Sequence, residues 1–121
     1  MGFEITTKAH FAAAHRLRLG DGSWESLHGH NWTAKITVSA ARLDAIGLVM
    51  DFHELTRLVE GVILPMRNVN LNDLPQFGRE NPSAENVALH IGRSLRLPEG
   101  ITLAAVEVWE TPENSAVFRP L

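Results

Sequence analysis

The sequence contains no cysteine, and that single absence removes disulfides, thiolate metal ligands and thiol nucleophiles together. Any metal must therefore be held by nitrogen and oxygen donors. Long apolar runs are missing too: nothing approaches the roughly 20 residues of a membrane span. The start, Met1-Gly2-Phe3-Glu4, lacks a basic region followed by an apolar stretch. Gly2 and Thr6 fit the spacing of a myristoylation signal, but nothing polybasic follows to support it. A soluble, cytoplasmic chain with no membrane partner is expected. Lysine and arginine form no cluster, and 11 basic against 14 acidic residues leave a formal charge of -3. Without a cationic footprint for a phosphate backbone, nucleic acid is not an expected partner.

What is present suits one domain spanning residues 1–121. That length supports a single core, and 45% apolar with 21% charged residues excludes disorder and fibrous repeats. Residues 2–11 alternate Phe3, Ile5, Thr7, Ala9 and Phe11 against Glu4, Thr6, Lys8 and His10, the period of a half-buried strand. After the loop LGDGSWES, residues 31–39 repeat that period, predicting a second strand antiparallel to the first. Asp51 with Glu54 three residues on resembles a capping box, and Leu55, Leu58, Val59, Val62 and Ile63 share one face of a helix over 52–65. Residues 66–80 carry no period and form a long loop, which in a small domain is usually functional or mobile. Asn81 or Ser83 can cap a second helix with Pro82 in its first turn, ending near Arg96. Two more strands follow, over 101–110 and 116–119. The order ββααββ predicts an α+β fold, an antiparallel sheet with two helices on one face. Its open edges favour oligomerisation.

The candidate chemistry lies in histidines. His28-Gly29-His30 places two imidazoles on the same side of an extended chain, with Gly29 removing the side chain between them. His-x-His alone is a weak signal. An antiparallel return from the first strand brings FAAAH alongside it and adds His15. Three protein ligands with an open fourth position is the catalytic form of a zinc site, while a structural zinc would need a fourth ligand, for which Glu25 and Asp21 are nearest. Ala12, Ala13 and Ala14 read as packing spacers. His10, His53 and His90 lack such company and read as surface or packing residues.

The segments FAAAHRL, LHGHNW, DFHEL, LND, ENPSAEN and VEVWET, in that order, resemble the 6-pyruvoyl-tetrahydropterin synthase family, which includes the 6-carboxytetrahydropterin synthases. The resemblance implies a tunnelling fold whose ββααββ subunits form trimers, two of them stacked into a homohexamer. It places the zinc ligands on His15, His28 and His30 and the pterin anchor on Glu110, with Thr111 adding substrate contacts. A carboxylate suits an anchor because its two oxygens accept paired N–H bonds from an amino-pyrimidine edge.

Departures from the family pattern bear on activity. The usual cysteine, four residues before the first histidine of His-Gly-His, is Trp24, and the usual Asp-His pair is Arg67 and Asn68. Neither of the latter titrates usefully as a base. Glu25 opens an E-x-x-H-G-H spacing similar to a divergent branch that cleaves the pterin side chain to 6-hydroxymethyl-dihydropterin. Two readings follow: a zinc-dependent lyase acting on a dihydroneopterin-type pterin with Glu25 as catalytic base, or a pterin-binding homologue without synthase activity. A barrel protein with a relic site is a third.

Overall fold

The computed structural model describes residues 2–120. Four strands, β1 (Phe3–His15), β2 (His28–Ala40), β3 (Thr102–Thr111) and β4 (Asn114–Phe118), form one antiparallel sheet in the order β1-β2-β3-β4. Helices α1 (Phe52–Ile63) and α2 (Ala84–Ser94) lie between β2 and β3 in sequence and cover one side of the sheet, α1 over β1 and α2 over β3 and β4. The ββααββ order is as predicted. Both leading strands are longer toward the loop than the period alone indicated, because β1 pairs with β2 without a break from Phe3–Ala40 to His15–His28. The added residues include all three candidate histidines.

Alternation decides what faces the helices. Ala9, Phe11 and Ala13 of β1, Trp32, Ala34, Ile36 and Val38 of β2, and Val106 and Val108 of β3 are buried there. Leu55, Val59 and Ile63 of α1 and Val87, Ala88 and Ile91 of α2 close the core. Phe11 and Trp32 stack across the strand pair with ring planes 5° apart. Gly92 lets α2 approach closely, since a Cβ there would stand 2.8 Å from the ring of Phe118. The opposite side of the sheet is polar, with Thr6 on Thr37 and His10 on Thr33, each at 3.0 Å.

Caps fix the helix starts. Asp51 accepts from the His53 N–H at 2.7 Å, a cap made without Glu54. Of the two candidates for α2, Ser83 is the cap, accepting from the Asn86 N–H at 3.1 Å. Pro82 lies before the helix, not in its first turn. The long loop is not loose: short 3₁₀ turns at Leu64–Met66, Leu71–Asp73 and Pro75–Phe77 bury Met66, Leu71 and Phe77. Its residues 68–70 lie along the outer edge of β1, where the Asn68 N–H donates to Ala12 and the Ala14 N–H to Val69. Among the described residues no helix is long and apolar enough to cross a membrane.

Candidate metal centre

The site stands where β1 ends, β2 begins and β3 ends, on the helix-facing side of the sheet. His15 and His28 are direct cross-strand partners and His30 lies opposite Ala13, so antiparallel register alone brings the three rings together. One ligand atom from each lies within 4.8 Å of the others. The rings pack edge to face, with centroids 4.7 to 5.1 Å apart. Trp32 forms the floor, its ring 5.0 Å from His15 and 5.6 Å from His30, and its indole N–H bonds the Ala13 carbonyl at 3.1 Å.

Hydrogen bonds set which nitrogens are free. His15 Nδ1 donates to the Pro82 carbonyl at 2.7 Å, and His28 Nδ1 donates to the Ser26 carbonyl at 2.8 Å. A carbonyl can only accept, so in the neutral rings both Nε2 atoms present lone pairs, 3.1 Å from each other. His30 Nε2 is buried and has no hydrogen-bond partner. Burial holds the His30 pKa below its ordinary value, against an opposing pull from Glu110 and smaller effects of His15, His28 and Glu25. Three imidazole donors, two with their far sides anchored by backbone carbonyls and the third a buried orphan, fit a borderline cation such as zinc. Metal binding by this donor set has a physical basis in the chain itself.

Glu110 joins them from β3, with Oε1 3.1 Å from His15 Nε2 and 3.8 Å from His30 Nε2. The pairing of β3 with β4 slips by one residue between Trp109 and Thr111, which leaves Glu110 without a cross-strand partner in a bulge. Glu110 was placed by the resemblance as a ring anchor. Its closeness to the histidines had no signal in the sequence, since 80 residues separate it from His30.

Glu25 is half-buried at the mouth, with Oε1 accepting the Leu17 N–H at 3.0 Å and its own N–H donating to the Leu17 carbonyl at 2.9 Å. One carboxylate oxygen is thus held by the chain, and the other has no hydrogen-bond partner among the described residues. Asparagines complete the mouth: Asn72 takes both the N–H and the carbonyl of Arg16, and Asn81 does the same for Arg18. The extended run after His15 is therefore bonded like a strand, though side chains supply most of the pairing. The other residues singled out stand apart. Asp21 turns its carboxylate onto Ser23, whose hydroxyl and N–H lower its pKa. The Thr111 hydroxyl accepts from Asn114, capping the β3–β4 turn. Trp24 lies under the guanidinium of Arg16 at 4.5 Å, with Arg18 at 5.8 Å. Arg67 forms a bidentate pair with Glu60 at 2.7 and 2.8 Å. Asn68 holds a positive φ of 56°.

Beside the triad, Ala12, Ala14, Gly29, Asn31 and Asn68–Asn70 line an open cleft of about 450 Å³ that reaches His30. Ala13 is buried in the core as read from the sequence and also reaches this cleft, which Ala12 and Ala14 line beside it.

The family model described as 6-pyruvoyl tetrahydropterin synthase matches residues 4–120. A dihydroneopterin monophosphate aldolase of Pyrococcus furiosus is 35% identical over 115 residues, covering 93% of this chain and 94% of that protein. A 6-carboxy-5,6,7,8-tetrahydropterin synthase of Bacillus subtilis is 33% identical over 128 residues, covering 98% and 86%. Among solved structures, the 6-pyruvoyl tetrahydropterin synthase of Caenorhabditis elegans superposes with a TM-score of 0.86 at 24% identity, covering 100% and 97% of the two chains.

Proposed function

The chain belongs to the 6-pyruvoyl tetrahydropterin synthase family, and from that premise we propose that it is a zinc-dependent lyase that cleaves the side chain of a dihydroneopterin-type pterin. The observation that carries this reading is the convergence of three Nε2 donors, two oriented by backbone carbonyls and one orphaned, beside a glutamate at the E-x-x-H-G-H spacing. His15, His28 and His30 would hold the metal, which when bound supplies a Lewis acid for the side-chain oxygens. The anchor assigned to Glu110 would take the amino-pyrimidine edge of the ring.

Glu25 would serve as the base. The Leu17 N–H holds one of its oxygens and leaves the other to take a proton. In retro-aldol cleavage a base takes the proton of the side-chain 2′-hydroxyl. The bond between carbons 1′ and 2′ then breaks, and carbon 2′ leaves as an aldehyde. The electron pair passes into the ring and is quenched by a proton on carbon 1′, leaving a 6-hydroxymethyl pterin. The resemblance assigns Trp24, Arg67 and Asn68 to the positions of the synthases' proton chemistry, and none of these side chains suits that role, which favours cleavage over the synthase reaction. The aldolase relative supports the same direction, and its name extends the substrates to be tried to a monophosphate. The outer edge of β4, and that of β1 ahead of the stretch paired with residues 68–70, are open among the described residues, which supports assembly of this domain into the homohexamer the resemblance implies.

The test is incubation of the zinc-loaded protein with 7,8-dihydroneopterin, its monophosphate and its triphosphate, with products separated by chromatography. We expect 6-hydroxymethyl-7,8-dihydropterin from at least one. Loss of general-base catalysis in Glu25→Gln should lower turnover about 10²- to 10⁴-fold, and His28→Ala should remove the bound metal and the activity together. Absence of turnover on all three substrates, with zinc present, would reject the lyase and leave a pterin-binding homologue.

A further inference from the structure

Glu110 does not stand clear of the histidines as a ring anchor alone would. We infer that Glu110 is a fourth protein ligand of the metal in the resting protein and that it releases the metal when a pterin ring offers its N–H edge, so that one carboxylate gates the open coordination position. The ligand half of this inference stands on the triad; the gate half rests on the pterin reading above.

Distances and donor chemistry carry it. Metal–ligand bonds of 2.0 to 2.2 Å in a tetrahedron separate the ligand atoms from each other by roughly 3.4 Å. Glu110 Oε1 lies 3.1 Å from His15 Nε2 and 3.8 Å from His30 Nε2, and His15 Nε2 lies 3.1 Å from His28 Nε2. These separations bracket that value. With the His15 Nδ1 proton directed at Pro82, the Nε2 lone pair and the carboxylate oxygen repel each other unless a positive centre lies between them. A second proton on His15 would serve that one nitrogen. It would still leave His30 Nε2 buried without a partner. One cation among the four donors would answer all of these contacts once the histidine ligand atoms, here within 4.8 Å of one another, close slightly onto it.

Among the described residues, Glu110 is the carboxylate within 3.8 Å of the triad's nitrogens; Glu25 has one oxygen on the Leu17 N–H and Asp21 is turned onto Ser23. Four protein ligands make the closed form of a zinc site, and chemistry requires an open one. An amino-pyrimidine edge presents paired donors that a carboxylate accepts in parallel. Substrate would thus draw Glu110 away as its side-chain oxygens arrive. Free water, which offers no paired edge, would not.

Cobalt(II), a visible reporter of zinc coordination, tests this without any turnover. The wild type, Glu110→Gln, Glu110→Ala and His28→Ala are titrated with cobalt(II), with circular dichroism confirming the fold of each and Glu110→Gln serving as the near-isosteric variant. Replacing a partner of a metal ligand costs 10- to 100-fold in affinity, so loss of a direct ligand should weaken cobalt binding by at least about tenfold in Glu110→Ala. The visible band should shift in Glu110→Gln, and azide should bind that variant at least about tenfold more tightly than the wild type. Equal affinity, band and azide response in wild type and Glu110 variants would overturn the ligand assignment, as would a wild type that takes up no cobalt. Adding 7,8-dihydroneopterin to the wild-type cobalt protein should restore azide-accessible or substrate-shifted spectra. With pterin binding followed separately by calorimetry, a Glu110-dependent band left unmoved by a bound pterin would keep the ligand and reject the gate, whereas a pterin that does not bind would reject the pterin reading.

Discussion

The helix-facing row of β2 runs His28, His30, Trp32, Ala34, Ile36 and Val38 at a constant spacing of two residues. Its last four members are fully buried beneath the helices, and its first two line the candidate metal centre. The same contrast runs along β1, from Ala9, Phe11 and Ala13 to His15, and along β3, from Val106 and Val108 to Glu110. One alternation therefore builds an apolar core and a polar site in a single continuous layer. What differs is the cover. Over the core lie the apolar faces of α1 and α2, whereas over the site lie backbone carbonyls at Pro82 and Ser26 and the clamped segment after His15. A buried imidazole needs such partners, because an unsatisfied polar group in an apolar setting costs about 1 to 3 kcal/mol. His15, 1% exposed, is tolerated there because its Nδ1–H meets the Pro82 carbonyl.

The sharpest way to break the contrast is at its boundary. Trp32 is fully buried and forms the floor beneath His15 and His30. Trp32→Ala should destabilise the protein by about 3 to 5 kcal/mol and weaken metal binding in the same variant, measured by denaturant unfolding and zinc titration. Stability lost with zinc affinity intact would show that the core and the site are independent. A milder break lies in the cover. Asn81 makes both backbone bonds to Arg18, so Asn81→Ala should cost about 1 to 2 kcal/mol. It should also weaken zinc binding less than loss of a ligand does.

The smallest effect separates titration in the core from titration at the metal. His90 packs its ring 5.7 Å from Phe77, and burial lowers its pKa. Between that lowered value and the unfolded value of about 6.5 the unfolded chain binds the extra proton, so stability rises with pH across this window. The contribution is complete above about 6.5 and is lost as pH falls through the window. In metal-free protein, unfolding followed from pH 5 to 8 should show a shallower slope for His90→Gln than for the wild type. Identical slopes would remove His90 as a source of the pH dependence.

Much of this arrangement was legible from residue types. Alternation located β1 and β2 and predicted which residues face inward, and helical spacing located α1 and α2. His-Gly-His and FAAAH were enough to bring His15, His28 and His30 together once antiparallel pairing was assumed. The strand ends were not legible, because Ala12, Ala13, Ala14 and Gly29 carry almost no hydrophobic period. The long loop read as structureless, because its order comes from single buried residues such as Leu71 and from side-chain bonds to distant backbone. Of the two cap candidates Ser83 caps α2, and Asn81 pairs instead with the backbone of Arg18.

The sequence by itself determined the alternation, the two amphipathic helices and the donor types available to a site without cysteine, since these depend on neighbours two to four residues apart. The tertiary structure decided which nitrogen of each imidazole is free, because the acceptors are carbonyls at Pro82, 67 residues from His15, and at Ser26. It also decided that Glu110, not Glu25 or Asp21, stands among the histidines. Ligand geometry depends on ångström-scale separations between strands, and those are set only when register, bulge and cover are assembled together.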